Sequence, residues 1–305
     1  MDVTTQVFSL NDFLKQAWKN KLALAGFITG FSAIALAIAL WLPNVYRSEA
    51  LLLPTESQQN SGLGALASQF GGLASMAGLG ALGDGADKSE QALEILKSRQ
   101  FFARVMDKED MRPALLAEPR WQPHSDQLDF DDSLYDASSS EWVRDVSWPQ
   151  QTIPTLQESH KEFLEVLRIN KDLNSGFVRI GIDHVSPIVA QRWVQLLVSE
   201  LNDYLKLRDI KEANKSIAFL NEQIEKTNVA EVRSVLFQMV EEHYKTLVLA
   251  EARDEYVFRV VDAPVVSERK VKPMRAVICI AGSLIGLFIG LIWMALFRMP
   301  SKEQS

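Results

Sequence analysis

Four histidines, one cysteine and 39 acidic residues are the side chains of this 305-residue sequence best suited to bind a metal, attack a substrate or move a proton. Their spacing supports none of these tasks. His124, His160, His184 and His243 are scattered, with no metal-ligand repeat. Cys279 lies inside a long apolar run and can form no disulfide within the chain, which is compatible with an oxidising compartment without requiring one. There is no GxSxG elbow. Gly83 to Ser89 mimics a phosphate loop, but Asp87 stands where a glycine must precede the lysine. The acid run Asp129, Asp131 and Asp132 lacks EF-hand spacing and reads as a solvated face. Other carboxylate pairs are as frequent as in any acidic chain and single out no acid/base couple. The sequence therefore predicts no catalytic residue, no cofactor and no metal. A formal net charge of -7 argues against a nucleic-acid partner.

With no chemistry to position, the informative elements are those that place the chain. Two apolar runs, 22–42 and 276–297, are each long enough for a helix to cross a bilayer core of about 30 Å. About 20 mostly polar residues precede the first run, and the run exceeds a signal-peptide core, so it reads as a retained anchor. Lys15, Lys19 and Lys21 precede the first run, and Arg269, Lys270, Lys272 and Arg275 precede the second. Summed over both runs the charge bias ties. Because the first helix usually dominates, both termini are expected in the cytoplasm, with a lipid bilayer as partner. In the second run Gly282, Gly286 and Gly290 share one helix face, the geometry that lets helices approach closely in lipid. Gly26 and Gly30 in the first run are expected to pack in the same way.

Between the runs the sequence reads as a mixed α/β domain over 43–275. Val45 to Leu53 has strand chemistry and Pro54 ends it. Residues 62–83 are uncharged and rich in Gly and Ala, and read as a flexible or weakly helical loop. Asp87 to Glu90 forms a capping box for a helix through about Met106. Residues 107–154 read as irregular and solvated, pinned by Trp121, Trp142 and Trp148. Thr155 and Glu158 cap a short helix, followed by strands at 166–170 and 177–184 joined by a turn at Asn174-Ser175-Gly176.

Ser186-Pro187 opens the longest helix, expected over about 187–227. Its first stripe is Ala190, Val194, Leu197, Leu201 and Tyr204, and its second is Ile210, Ala213, Ile217, Leu220 and Ile224. The stripes are out of phase, so they need different neighbours. One can pack on the chain's own helices and the other on a neighbouring subunit, which makes Ile210, Ile217, Leu220 and Ile224 the candidate assembly surface. A return helix is expected over about 229–254, capped by Asn228 and striped by Val232, Leu236, Met239, Tyr244 and Leu247. Residues 256–261 then rejoin the sheet, and Pro264 and Pro273 form a hinge before the second span. The predicted class is α+β: two transmembrane helices flank a mixed base with a long protruding helical hairpin.

This layout resembles the Wzz-type chain-length determinants, the bacterial polysaccharide co-polymerases without a kinase domain. The opening VFSLNDFLKQAWKNK, the helix SEQALEILKSRQFF and the stretch VVDAPVVSERKVKPMR are similar to that family. Between Pro264 and Pro273 this chain has Ser267 and fewer prolines than the family's hinge usually carries. The resemblance implies an inner-membrane protein with a periplasmic domain and a 298–305 cytoplasmic tail. It further implies a homo-oligomeric ring that is not an enzyme and sets the length of O-antigen or a related polysaccharide. Its partners would be a Wzy-type polymerase and the growing polysaccharide. The rival readings are an adaptor for capsule export with an ABC transporter and a two-span sensory receptor. The 298–305 tail is too short for the output domain the receptor would need.

Overall fold

The computed structural model describes residues 20–55, 88–172 and 174–297. The chain divides into two compact units, one of Met1–Val45 with Lys270–Ser305 and one of Tyr46–Arg269.

The first unit is built on two helices, each long and apolar enough to cross a membrane: α1 (Lys21–Trp41) and α8 (Arg275–Phe297). Pro43, just past the C-cap Leu42, cannot continue α1. Facing pairs run in opposite directions along the two helices, Gly282 against Ala35 and Gly290 against Leu24, so α1 and α8 are antiparallel.

The second unit opens with β1 (Val45–Pro54), continued by α2 (Lys88–Leu96), α3 (Arg99–Met106) and α4 (Arg112–Leu116). The single helix expected to Met106 is two. Ser98 turns out of the helical conformation and its hydroxyl accepts from the Phe101 N–H, so a new helix starts there and sinks Phe101 and Phe102 into the core. The capping box read at Asp87 and the loop read at 62–83 lie outside the described residues.

Residues 107–154 are more ordered than their composition suggests. Two small hairpins form, β2 (Arg120–Gln122) with β3 (Gln127–Asp129) and β4 (Tyr135–Asp136) with β5 (Glu141–Trp142). Trp121 meets Tyr46 edge-on at 5.4 Å and Trp142 meets Tyr135 at 5.2 Å, so two of the three tryptophans pin the segment. Trp148 does not: it is 92% exposed. The anchor that sequence reading missed is Arg144. Its buried guanidinium donates to both carboxylate oxygens of Glu158 and to the carbonyls of Gln151 and Thr152. Asp131 is spent on a local turn, accepting from Ser133 N–H and Oγ.

Thr155 caps α5 (Leu156–Val166) as expected. There follow β6 (Leu167–Lys171) and β7 (Val178–His184), paired antiparallel through a turn in which Gly176 takes φ of +73°, a conformation glycine adopts without strain. With β8 (Phe258–Asp262), four strands of a five-stranded sheet take the order β6-β7-β1-β8 with antiparallel neighbours, and a short β9 (Lys270–Lys272) pairs with β1 off this path. One face, with Ala50, Leu52, Val178, Ile180 and Ile182, is buried under the first half of α6 (Pro187–Lys226). On the other face Arg47 and Arg168 close over Asp183, whose side chain is only 3% exposed. Gly181 has no room for a side chain there: a Cβ would stand 2.9 Å from the Ser48 carbonyl oxygen.

Ser186 caps α6 and Pro187 starts it, as the sequence predicts. The helix runs 40 residues and returns as α7 (Ala230–Ala252). The expected Asn228 cap is not used. Thr227 to Val229 stay extended, the Thr227 carbonyl accepts from Arg233, and Val229 becomes an N-cap without a side-chain bond.

Candidate functional site

The candidate surfaces are built from three of these elements. The first is the glycine face of α8. A Cβ on Gly282 would come within 2.4 Å of the Ala35 Cβ. One on Gly286 would lie 2.8 Å from the Phe27 carbonyl oxygen, and one on Gly290 3.0 Å from Leu24 Cδ2. The face therefore serves α1 of the same chain. Ser283 Oγ lies 3.3 Å from Ser32 Oγ across the contact, and Phe27 packs on Trp293 with ring centroids 5.6 Å apart. At the end of the pair, Arg275 donates to the Ala39 carbonyl at 3.1 Å and to Asn44 Oδ1 at 3.3 Å. Gly26 and Gly30 are not used within the chain. A Cβ on either meets nothing within 4 Å, because both sit on faces of α1 turned away from α8.

The second is the pair α6 and α7. The first stripe of α6, with Trp193 and Val198 added, packs on the sheet. The second stripe packs on α7: Ile217 and Leu220 are buried with Val240, and Ile224, Leu236 and Leu247 close over them. Both stripes are thus satisfied inside the chain, and the expectation that one waits for a neighbouring subunit is corrected. Ile210 is half-buried just before this contact. The α7 stripe also shifts. Leu236, Val240, Leu247 and Ala250 face α6, whereas Val232, Met239 and Tyr244, expected on that face, are exposed.

What remains on α7 is apolar surface on both flanks of an exposed polar strip that carries Glu241, Glu242 and Lys245. Val235 and Met239, four apart, form one exposed flank, and Phe237, Tyr244 and Val248 form another at spacings of seven and four. Phe219 on α6 adds a ring 59% exposed. Apolar flanks of this extent are normally covered, and two helices alone cannot cover both. The signal was readable: the sequence of α7 holds too many large apolar residues for one stripe.

The third is the hinge. The boundary between the two units at Arg269/Lys270 falls between Pro264 and Pro273. The Pro264 carbonyl accepts from Gln191 Nε2 at 3.2 Å, so the first proline is tied to α6.

The described histidines are structural in their contacts. His184 is buried against Trp193, with Nδ1 accepting from the Ser186 N–H and Nε2 3.0 Å from the Ala114 carbonyl. Burial pushes its pKa below 6.5. His160 Nε2 lies 2.7 Å from the Lys97 carbonyl. Among the described residues there is no group of three or more His, Cys, Asp or Glu placed to hold a metal ion.

Residues 6–109 match the family model Wzz, described as chain length determinant protein. The matched stretch takes in α1, β1, α2 and α3, so the first span and the central strand of the sheet both fall within it. No curated protein matches the chain. Among solved structures it is similar to a full-length bacterial polysaccharide co-polymerase, at 15% identity over 97% of this chain and 100% of that one, with a TM-score of 0.37. It is also similar to a fragment of WzzB, a polysaccharide co-polymerase from Salmonella Typhimurium. There the identity is 14% over 75% of this chain and 100% of that one, with a TM-score of 0.27.

Proposed function

We propose that the protein is a non-enzymatic regulator that sets the chain length of O-antigen or a related surface polysaccharide during Wzy-dependent polymerisation, working as a homo-oligomeric ring. The observation that carries this reading is the match of residues 6–109 to the Wzz family model. The protein sits in a bacterial inner membrane with residues 43–275 in the periplasm. The antiparallel pairing of α1 and α8 supports having both termini on one side, the cytoplasmic one. Neighbouring copies cover the exposed flanks of α7 and Phe219. Ile210, Ile217, Leu220 and Ile224 serve assembly indirectly, by holding α6 and α7 together so that these flanks are presented. Gly26 and Gly30, unused within the chain, face a helix of another copy in the bilayer. Pro264 and Pro273 let the two units reorient as the ring forms. The Wzy-type polymerase and the growing polysaccharide are the remaining partners. The test is a surface polysaccharide ladder on a gel, with and without the gene. Loss of the modal cluster is expected, and an unchanged ladder overturns the reading.

A further inference from the structure

Within the second unit a cleft of about 420 Å³ lies between α6 and the residues on either side of β8. That size suits a small ligand. Gln191, Gln195, Ser199 and Asp203 fall four residues apart on α6 and so line one wall. Gln191 is committed to the Pro264 carbonyl and fixes the far wall. Asn202 is committed below: its Oδ1 accepts from the N–H groups of Val257 and Phe258, and its Nδ2 donates to the Phe258 carbonyl. The bottom is therefore rigid. The side chains of Gln195, Ser199 and Asp203, with Asp254 opposite, make no hydrogen bond among the described residues, whereas Glu255 Oε1 accepts from the Val260 N–H. Ala50, Val198 and Val260 supply an apolar floor.

This set of groups is selective. An amide and a hydroxyl both donate and accept, and three carboxylates, Asp203, Asp254 and Glu255, accept only. No Lys or Arg lines the cleft, so phosphate, sulfate and other anions are repelled. A purely apolar ligand would strand the polar wall without partners. A polyhydroxylated ligand satisfies every surface: hydroxyls donate to Asp203 and Asp254, accept from Gln195 and Ser199, and the C–H face of a ring lies on the valines. We propose that this cleft binds a short uncharged stretch of polysaccharide. The inference rests on the reading of the chain as a polysaccharide regulator, and names where one subunit would hold its polymer.

The experiment uses the full chain in detergent micelles. The probe is the surface polysaccharide of the strain carrying the gene, cut to oligosaccharides by mild acid and labelled, with sulfated dextran as an anionic control. Equilibrium dialysis is expected to show saturable binding of the oligosaccharide and none of sulfated dextran. Ser199→Trp fills the cleft from an exposed helix position, and Gln195→Ala with Asp203→Ala removes its polar wall. Both variants are expected to weaken binding at least tenfold with oligomer size unchanged. The double variant guards against a misfolded tryptophan variant. Absence of saturable binding, or wild-type binding in both variants, overturns the proposal. So does saturable calcium binding that excludes the sugar. If deletion of the gene alters the ladder while both variants bind and regulate as wild type, the cleft fails and the regulatory reading stands. If deletion leaves the ladder unchanged, the regulatory reading itself fails.

Discussion

Asp183 carries more of the second unit than any neighbouring charge. It sits on β7 between Arg47 of β1 and Arg168 of β6, with Nε to carboxylate distances of 2.5 and 3.0 Å, so one carboxylate ties three strands. Asp183→Ala would leave two guanidiniums side by side, with only the exposed Glu49, 3.7 Å from Arg47, as counter-charge. The cost is expected to be about 3 kcal/mol, the low end for breaking a buried pair because both arginines keep some water. A fall in the urea midpoint of the detergent-solubilised protein checks this, and an unchanged midpoint contradicts it. His184 makes a second residue-scale prediction. Its folded pKa lies below the ordinary 6.5, so below that pH the unfolded chain takes up a proton that the folded chain refuses. Stability is complete above about pH 6.5 and falls as pH drops toward the lowered folded value. His184→Gln is expected to flatten this slope in unfolding midpoints measured from pH 7.5 to 5, and to leave polymer synthesis running. Arg144 could not be anticipated from the sequence. It reads as one charge in a polar stretch, and its partners Gln151, Thr152 and Glu158 meet it only through the fold.

At the scale of elements, the glycine face makes a sharp contrast between two similar substitutions. At Gly286 the nearest atoms are backbone, Phe27 O at 2.8 Å and Ile28 Cα at 3.0 Å, so a leucine there must push α1 away. At Gly26 there is nothing to push. In a Cys279→Ser background, cysteines at Ser32 and Ser283 are expected to crosslink readily. Gly286→Leu should cut the yield severalfold, while Gly26→Leu should leave it unchanged. Equal yields in both would contradict the packing described. The helix pair makes a parallel contrast. Ile217→Glu buries a charge between α6 and α7 and should lower the melting temperature, at a cost of several kcal/mol. Phe219→Glu places the charge on an exposed position and should leave melting intact while reducing oligomer size on a sizing column. These elements were largely legible in the sequence: the two spans, the strand alternation of β7 and the Ser186-Pro187 start are local signals. The partner of each α6 stripe was not, because phase tells that two neighbours exist and not whether they belong to one chain. The break at Ser98 and the shifted start of α7 were missed for a related reason: each depends on which of several capping groups the tertiary contacts favour.

At the scale of the whole molecule, the topology reading makes a direct prediction. A reporter active only in the periplasm is expected to work when fused at Ser138 and to stay silent at Ser305. The opposite result would invert the orientation, and activity at both would break the two-span layout. One further consequence lies in the order in which the chain is made. The central strand β1 is among the first parts of the second unit to leave the ribosome, yet its neighbours β7 and β8 begin only at Val178 and Phe258. The chain must hold open both edges of its middle strand through most of synthesis, and the loop closures that complete the sheet come last. Maturation is thus back-loaded, and a nascent chain is vulnerable until β8 arrives. A product in which Asp254 is fused directly to Arg275 retains the core helices and α8 but lacks β8. In a pulse-chase it is expected to be degraded severalfold faster than the full chain.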